Sequence, residues 1–185
     1  MSLSTFKSNL IRFMESEPQS SDDFAKTLTR EYDLAVKRGG DLLNSVPLQK
    51  GNTEGMETIL KLFLKSNMSK QSGVLDIQDW GFSFLTYWMP AQGALFPVPA
   101  IPAPGTIQNI SSNTHILVNP GNWSTSFPTP PTNSISQFVD ILTLGIQTHL
   151  TTVQGMIITT SLYPTAPAPT PGPGIINWTG YVIPG

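Results

Sequence analysis

The chain has 185 residues, with 17 proline, 15 glycine and no cysteine, and carries 10 Lys+Arg against 12 Asp+Glu. The absence of cysteine excludes disulfides, thiolate nucleophiles, zinc–thiolate sites and iron–sulfur clusters. A net charge of −2 and a pI near 5.6 offer nothing like the clustered basic face of a nucleic-acid binder.

Charged residues make up 12% of the chain, about half the roughly 25% usual in soluble globular proteins. Every Lys and Arg lies between Lys7 and Lys70, and every acid except Asp140 lies between Glu15 and Asp79. From Trp80 to Gly185 the one formal charge is therefore Asp140.

The charged part has a helical pattern. Leu3, Phe6, Leu10, Phe13 and Met14 form one apolar stripe, which Pro18 ends. Ser20-Ser-Asp-Asp23 is a capping signal with acids in the first turn of the next helix. That helix has a stripe through Phe24, Leu28, Tyr32 or Ala35, and Val36, and it stops at Lys37-Arg-Gly-Gly40. Thr53 opens a third, with Met56, Ile59, Leu60, Phe63 and Leu64 on its buried face. Such short helices need one another's apolar faces, which predicts a small antiparallel bundle.

A fourth helix is expected within 74–92, where Ile77, Trp80 or Gly81, Phe84, Leu85 and Trp88 repeat at helical spacing before Pro90. Residues 93–133 follow as an extended Pro-rich connector. Its Pro97–Gly105 run favours polyproline II, and Thr114–Val118 fits one short strand. Ser134-Ile-Ser-Gln137 matches a capping box and opens a long apolar helix over 134–163. Within it Met156–Thr160 is rich in β-branched residues and fits strand as well as helix. Residues 164–185 form a second Pro-rich arm with an apolar end. The resulting expectation is a mainly α fold: a charged helical bundle over 1–92, one long C-terminal helix, extended Pro-rich arms and little β.

Ile141–Tyr163 is uncharged over a length that would span a bilayer, but it contains Gln147, His149, Gln154 and several threonines, and no Lys/Arg pair flanks it. A core or interface helix is the expected role, and a membrane-active protein inserting 80–185 is the alternative. Met1-Ser-Leu-Ser-Thr-Phe-Lys7 lacks the apolar stretch of a secretory signal.

Chemistry is sparse. Near-neutral titration in the C-terminal half is limited to Asp140, His115 and His149, and on one helix Asp140 and His149 fall on opposite faces. The acid pairs Asp22/Asp23, Glu54/Glu57 and Asp76/Asp79 stand at helix starts, where they favour the helix dipole. There is no G-x-S-x-G, no phosphate-binding glycine loop, no H-E-x-x-H and no EF-hand spacing. No catalytic residue, cofactor, metal or small-molecule substrate is expected. What remains is burial: uncharged, aromatic and Pro-rich segments have the composition of an interface core. Trp80, Phe84, Trp88, Phe96, Ile101, Trp123, Trp178 and Tyr181 are the expected interface anchors.

The order Trp80-Gly-Phe…Tyr87-Trp88, Pro97–Gly105, Val118-Asn-Pro-Gly121, His149-Leu-Thr-Thr-Val-Gln-Gly155 and Trp178-Thr-Gly-Tyr181 resembles small virion structural proteins of tailed bacteriophages, the contractile-tailed type above all. The resemblance implies a non-enzymatic part of a particle, in neck, tail, baseplate or capsid. It further implies synthesis in the host cytoplasm and partners that are copies of itself and other virion proteins.

Overall fold

A computed structural model describes residues 2–16, 20–37, 40–41, 51–68, 80–88, 107–110, 114–119, 134–164, 172–179 and 181–183. Helix α1 (Leu3–Glu15) starts at Ser2, whose hydroxyl accepts the Thr5 N–H at 3.2 Å. Helix α2 (Ser21–Val36) starts with the capping box that its sequence predicts. The Ser20 hydroxyl accepts the Asp23 N–H at 3.1 Å, and the Asp23 carboxylate accepts from the Ser20 hydroxyl at 2.6 Å and the Ser20 N–H at 3.3 Å. Two otherwise orphaned donors are satisfied reciprocally, with the acid at the positive end of the helix.

Helix α3 (Thr53–Met68) is capped by Asn52, whose side-chain oxygen accepts the Gly55 N–H at 3.0 Å. The Asn52 N–H in turn donates to the carbonyl of Tyr87 at 2.9 Å, which ties the start of α3 to the end of α4 (Gly81–Trp88). Gly51 sits against the Tyr87 ring so closely that a Cβ there would overlap the Cζ and Cε atoms. The remainder of the predicted 74–92 helix, with Asp76, Asp79 and Pro90, lies outside the described residues.

Helix α5 (Ile135–Thr152) begins where predicted, with the Ser134 hydroxyl accepting the Gln137 N–H at 3.1 Å. It does not run to residue 163. Val153 is extended, at φ −67° and ψ 130°, and strand β4 occupies Gln154–Pro164. The Thr151 and Thr152 hydroxyls donate to the Thr148 and His149 carbonyls, each at 2.7 Å, and so satisfy acceptors that a helix end leaves open. The β-branched run beyond favours the pleated conformation, which settles the alternative left by Met156–Thr160.

β4 is the middle of an antiparallel sheet. On one side it pairs with β3 (Thr114–Asn119), from Thr114↔Thr159 to Asn119↔Gln154, and further along with β2 (Ile107–Ile110). On the other it pairs with β5 (Gly172–Thr179), from Gln154↔Thr179 to Leu162↔Gly172. A two-residue pairing joins β1 (Gly40–Asp41) to β6 (Tyr181–Val182), and Ile183 beyond it is buried in the helical core. Within the Pro-rich arm expected over 164–185, residues 172–179 and 181–182 are strands that pair within the chain. The intervening residues 165–171 and most of the connector, 93–106 and 120–133, lie outside the described residues.

The mainly α expectation holds. Five helices among the described residues supply nearly all of the described core, with α2 against α1 and α3, α3 against α4, and α1 against α5. Aromatic rings bind these layers together. Tyr32 of α2 meets Phe84 and Tyr87 of α4 edge-on, each with centroids 4.9 Å apart, and its hydroxyl accepts the Trp88 indole N–H at 2.9 Å. Trp80 lies between Phe24 of α2 at 5.6 Å and Phe138 of α5 at 5.8 Å. Each such pair adds about 0.5–1.5 kcal/mol beyond its area burial.

Two outcomes follow. Gly51→Ala should destabilise the protein by about 1–3 kcal/mol in urea denaturation, because the Tyr87 ring has to move off its position; an unchanged midpoint would remove this contact from the account. The Ser20 hydroxyl, followed by the Ser20 N–H, holds the Asp23 carboxyl below its ordinary value of 3.8. A depressed pKa gives stability that is present above 3.8 and lost as pH falls through the folded-state value. Ser20→Ala should raise the Asp23 pKa toward 3.8, as followed by NMR titration of its carboxyl carbon.

Candidate functional site

Charged side chains in the bundle are mostly engaged with one another. Asp22 pairs with Lys65 at 3.2 Å and joins α2 to α3, while Glu57 pairs with Lys61 at 2.7 Å within α3. Of the acids expected at helix starts, Asp23 caps α2, Asp22 and Glu57 are surface partners of lysines, Glu54 lies in the first turn of α3, and Asp76/Asp79 lie outside the described residues. Asp33 is buried, and takes the Tyr87 hydroxyl at 2.8 Å on one oxygen and the Lys37 ammonium at 2.6 Å on the other. Both carboxylate oxygens are satisfied, as a buried charge requires.

Asp140, the one charge beyond Asp79, is exposed on α5 and pairs with Lys7 of α1. His149, on the same helix, is fully buried. The separation expected from their spacing is what the helix produces, and the two do not share a site. His115 lies in β3. Among the described residues no cluster of three His, Asp or Glu side chains is placed to hold a metal ion.

The interface anchors fare unevenly. Trp80, Phe84 and Trp88 are at most 3% exposed and pack into the chain's own core, so the reading of these three as contacts to a neighbouring subunit is corrected. Their apolar area is large, but Phe24, Tyr32 and Phe138 lie within reach to cover it, and no second molecule is needed. Trp178 is in β5 and Tyr181 in β6, while Phe96, Ile101 and Trp123 lie outside the described residues. Among the described residues the large apolar side chains that do reach solvent were not anticipated: Leu34 on α2, Leu62 on α3, Phe82 on α4 and Leu144 on α5, with Leu62 at 61%.

A polar concavity of about 300 Å³ opens between α1 and α2, lined by Asn9, Arg12, Phe13, Ser16, Arg30 and Glu31. The Glu31 side chain is 3% exposed at its base. One Glu31 oxygen accepts Nε and Nη2 of Arg30 at 3.0 and 2.7 Å, and the other accepts Nδ2 of Asn9 at 2.8 Å. The sequence held one signal for this place: Glu31 falls between Leu28 and Ala35 at i+3 and i−4, an acid inside an apolar stripe.

No family model, curated protein or solved structure matches the chain.

The burial of α4 gives a direct test. Trp80→Ala should lower stability by about 3–5 kcal/mol in chemical denaturation of the dilute protein, the cost of truncating a core aromatic. A pure interface residue would leave that value unchanged and alter only self-association.

Proposed function

We propose that this protein is a non-enzymatic structural subunit of a large assembly, a component of a tailed-phage virion. It works by contact with copies of itself and with other virion proteins. The observation that carries the reading is the sheet. Strands β2 to β5 contain no Asp, Glu, Lys or Arg, and the outer edges of β3 and β5 have no strand partner among the described residues. Proteins that stay monomeric guard such edges with charges, and an unguarded edge is a template for another strand.

The aromatic helix α4 no longer supports the reading, since its rings serve the chain's own core. The uncharged sheet does, and Trp178 of β5 remains with it. The resemblance of the Trp80–Tyr181 motifs to small phage virion proteins favours the particle as the place of assembly, with neck, tail and baseplate as the candidate positions and a capsid-associated role as the alternative. Among the described residues no helix is long and apolar enough to cross a membrane.

Light scattering of the full chain over a concentration series should show self-association. The double substitution Thr114→Lys/Asn177→Lys puts a charge on each outer strand, and should weaken that association at least about tenfold while leaving the helical circular dichroism melt in place. A protein that stays monomeric throughout, or that floats with liposomes when purified, overturns the proposal.

A further inference from the structure

The concavity between α1 and α2 has a feature that the folding of the bundle does not use. Glu31 is the buried acid there, and both of its oxygens are already taken, by Arg30 and by Asn9. Arg30 lines the hollow and nonetheless has 64% of its side chain exposed, so donors beyond those spent on Glu31 are left to solvent. Across from it stands Arg12, for which no carboxylate partner occurs among the described residues. Its place in the last turn of α1 suits the helix dipole, yet that uses none of its five N–H donors. Among the described residues that line it, two guanidinium groups stand against one carboxylate, one positive charge in excess.

We infer that this concavity is a binding site for the carboxylate of an Asp or Glu side chain presented by a partner protein. The excess of one charge matches a monoanion, and the planar forks of Arg12 and Arg30 match the geometry of a carboxylate. Phe13 lines the same hollow and supplies an apolar wall for the methylene stem of such a side chain. Glu31 fixes Arg30 from below and keeps its guanidinium plane oriented, so Glu31 is a positioning residue. A phosphate dianion is a poorer match in charge, and a nucleic-acid strand, which requires a run of cations, is poorer still. The inference stands on the helical half alone and does not depend on the assembly role of the sheet.

The probe is N-acetyl-glutamate amide, a monoanion with one side-chain carboxylate, titrated into the full-length protein with the arginine side-chain Nε–Hε signals followed by NMR. The neutral N-acetyl-glutamine amide and inorganic phosphate are the comparisons. Saturable shifts at Arg12 and Arg30 are expected with the glutamate compound, weaker ones with phosphate and none with the glutamine compound. Arg12→Gln, at an exposed position, should weaken the apparent Kd by about fivefold, read from the Arg30 signal, and added salt should weaken it further. The proposal is overturned by no saturable shift, by an equal response to the glutamine compound, by tighter binding of phosphate, or by an unaltered Kd in Arg12→Gln. Sedimentation of the same samples reports assembly separately, so loss of one property is distinguishable from loss of the other.

Discussion

The ring of Tyr32 is where the uncharged part of the chain is fastened to the charged part. It stands on α2, takes Phe84 and Tyr87 edge-on, and accepts the indole N–H of Trp88. One residue later Asp33 accepts the Tyr87 hydroxyl, so two successive positions of α2 hold three aromatic side chains of α4. This clasp combines area burial with directional bonds that only one register of α4 against α2 can satisfy. The other contacts depend on it. Tyr87 closes over Gly51 and its carbonyl holds Asn52, which caps α3, while Trp80 reaches Phe138 and brings α5 onto the bundle.

Seen from this clasp, the division of charge along the sequence is also a division of labour inside one molecule. The charged helices contribute the outer polar surface, and the uncharged segment fills their inner face and then continues as a sheet. Asp140 fits that arrangement: it lies on the exposed side of α5 and reaches Lys7 on α1, a surface pair of the sort worth about 0.2–1 kcal/mol. Apolar composition after residue 79 therefore has two uses. Part of it is consumed by the chain's own core, and the part in β2 to β5 is left without a charged guard.

The helices were legible in the sequence because their signals are local. Ser20 with Asp23, Ser134 with Gln137, and the apolar stripes through Leu10, Leu28 and Leu60 all act within a turn or two of the backbone. The end of α5 was less legible, since Thr151 and Thr152 tolerate helix and terminate it only through hydroxyl bonds to the last carbonyls. The sheet was nearly invisible, because β4 acquires its identity from partners some forty residues upstream and about twenty downstream, and strand preference depends on such neighbours. The same limit explains the anchors. A run such as Trp80, Phe84 and Trp88 announces that it will be buried, but not whether the covering surface belongs to its own chain. The α1–α2 hollow was legible at one position only, where Glu31 interrupts the stripe of α2; Arg12 carries no mark that separates it from any other surface arginine.

The short pairing of β1 with β6, and the burial of Ile183 just past it, make one closure of the fold strongly non-local. α1, α2 and α3 close on one another through contacts near in sequence and are able to collapse while the chain is still growing. Ile183 joins the same apolar cluster from far along the chain, next to a pairing that links it back to Gly40–Asp41. The uncharged strands β2 to β5 lie in sequence between the bundle and this closing contact. A core closed by contacts this distant in sequence forms slowly and as one unit, so β1, β6 and the helices share their stability.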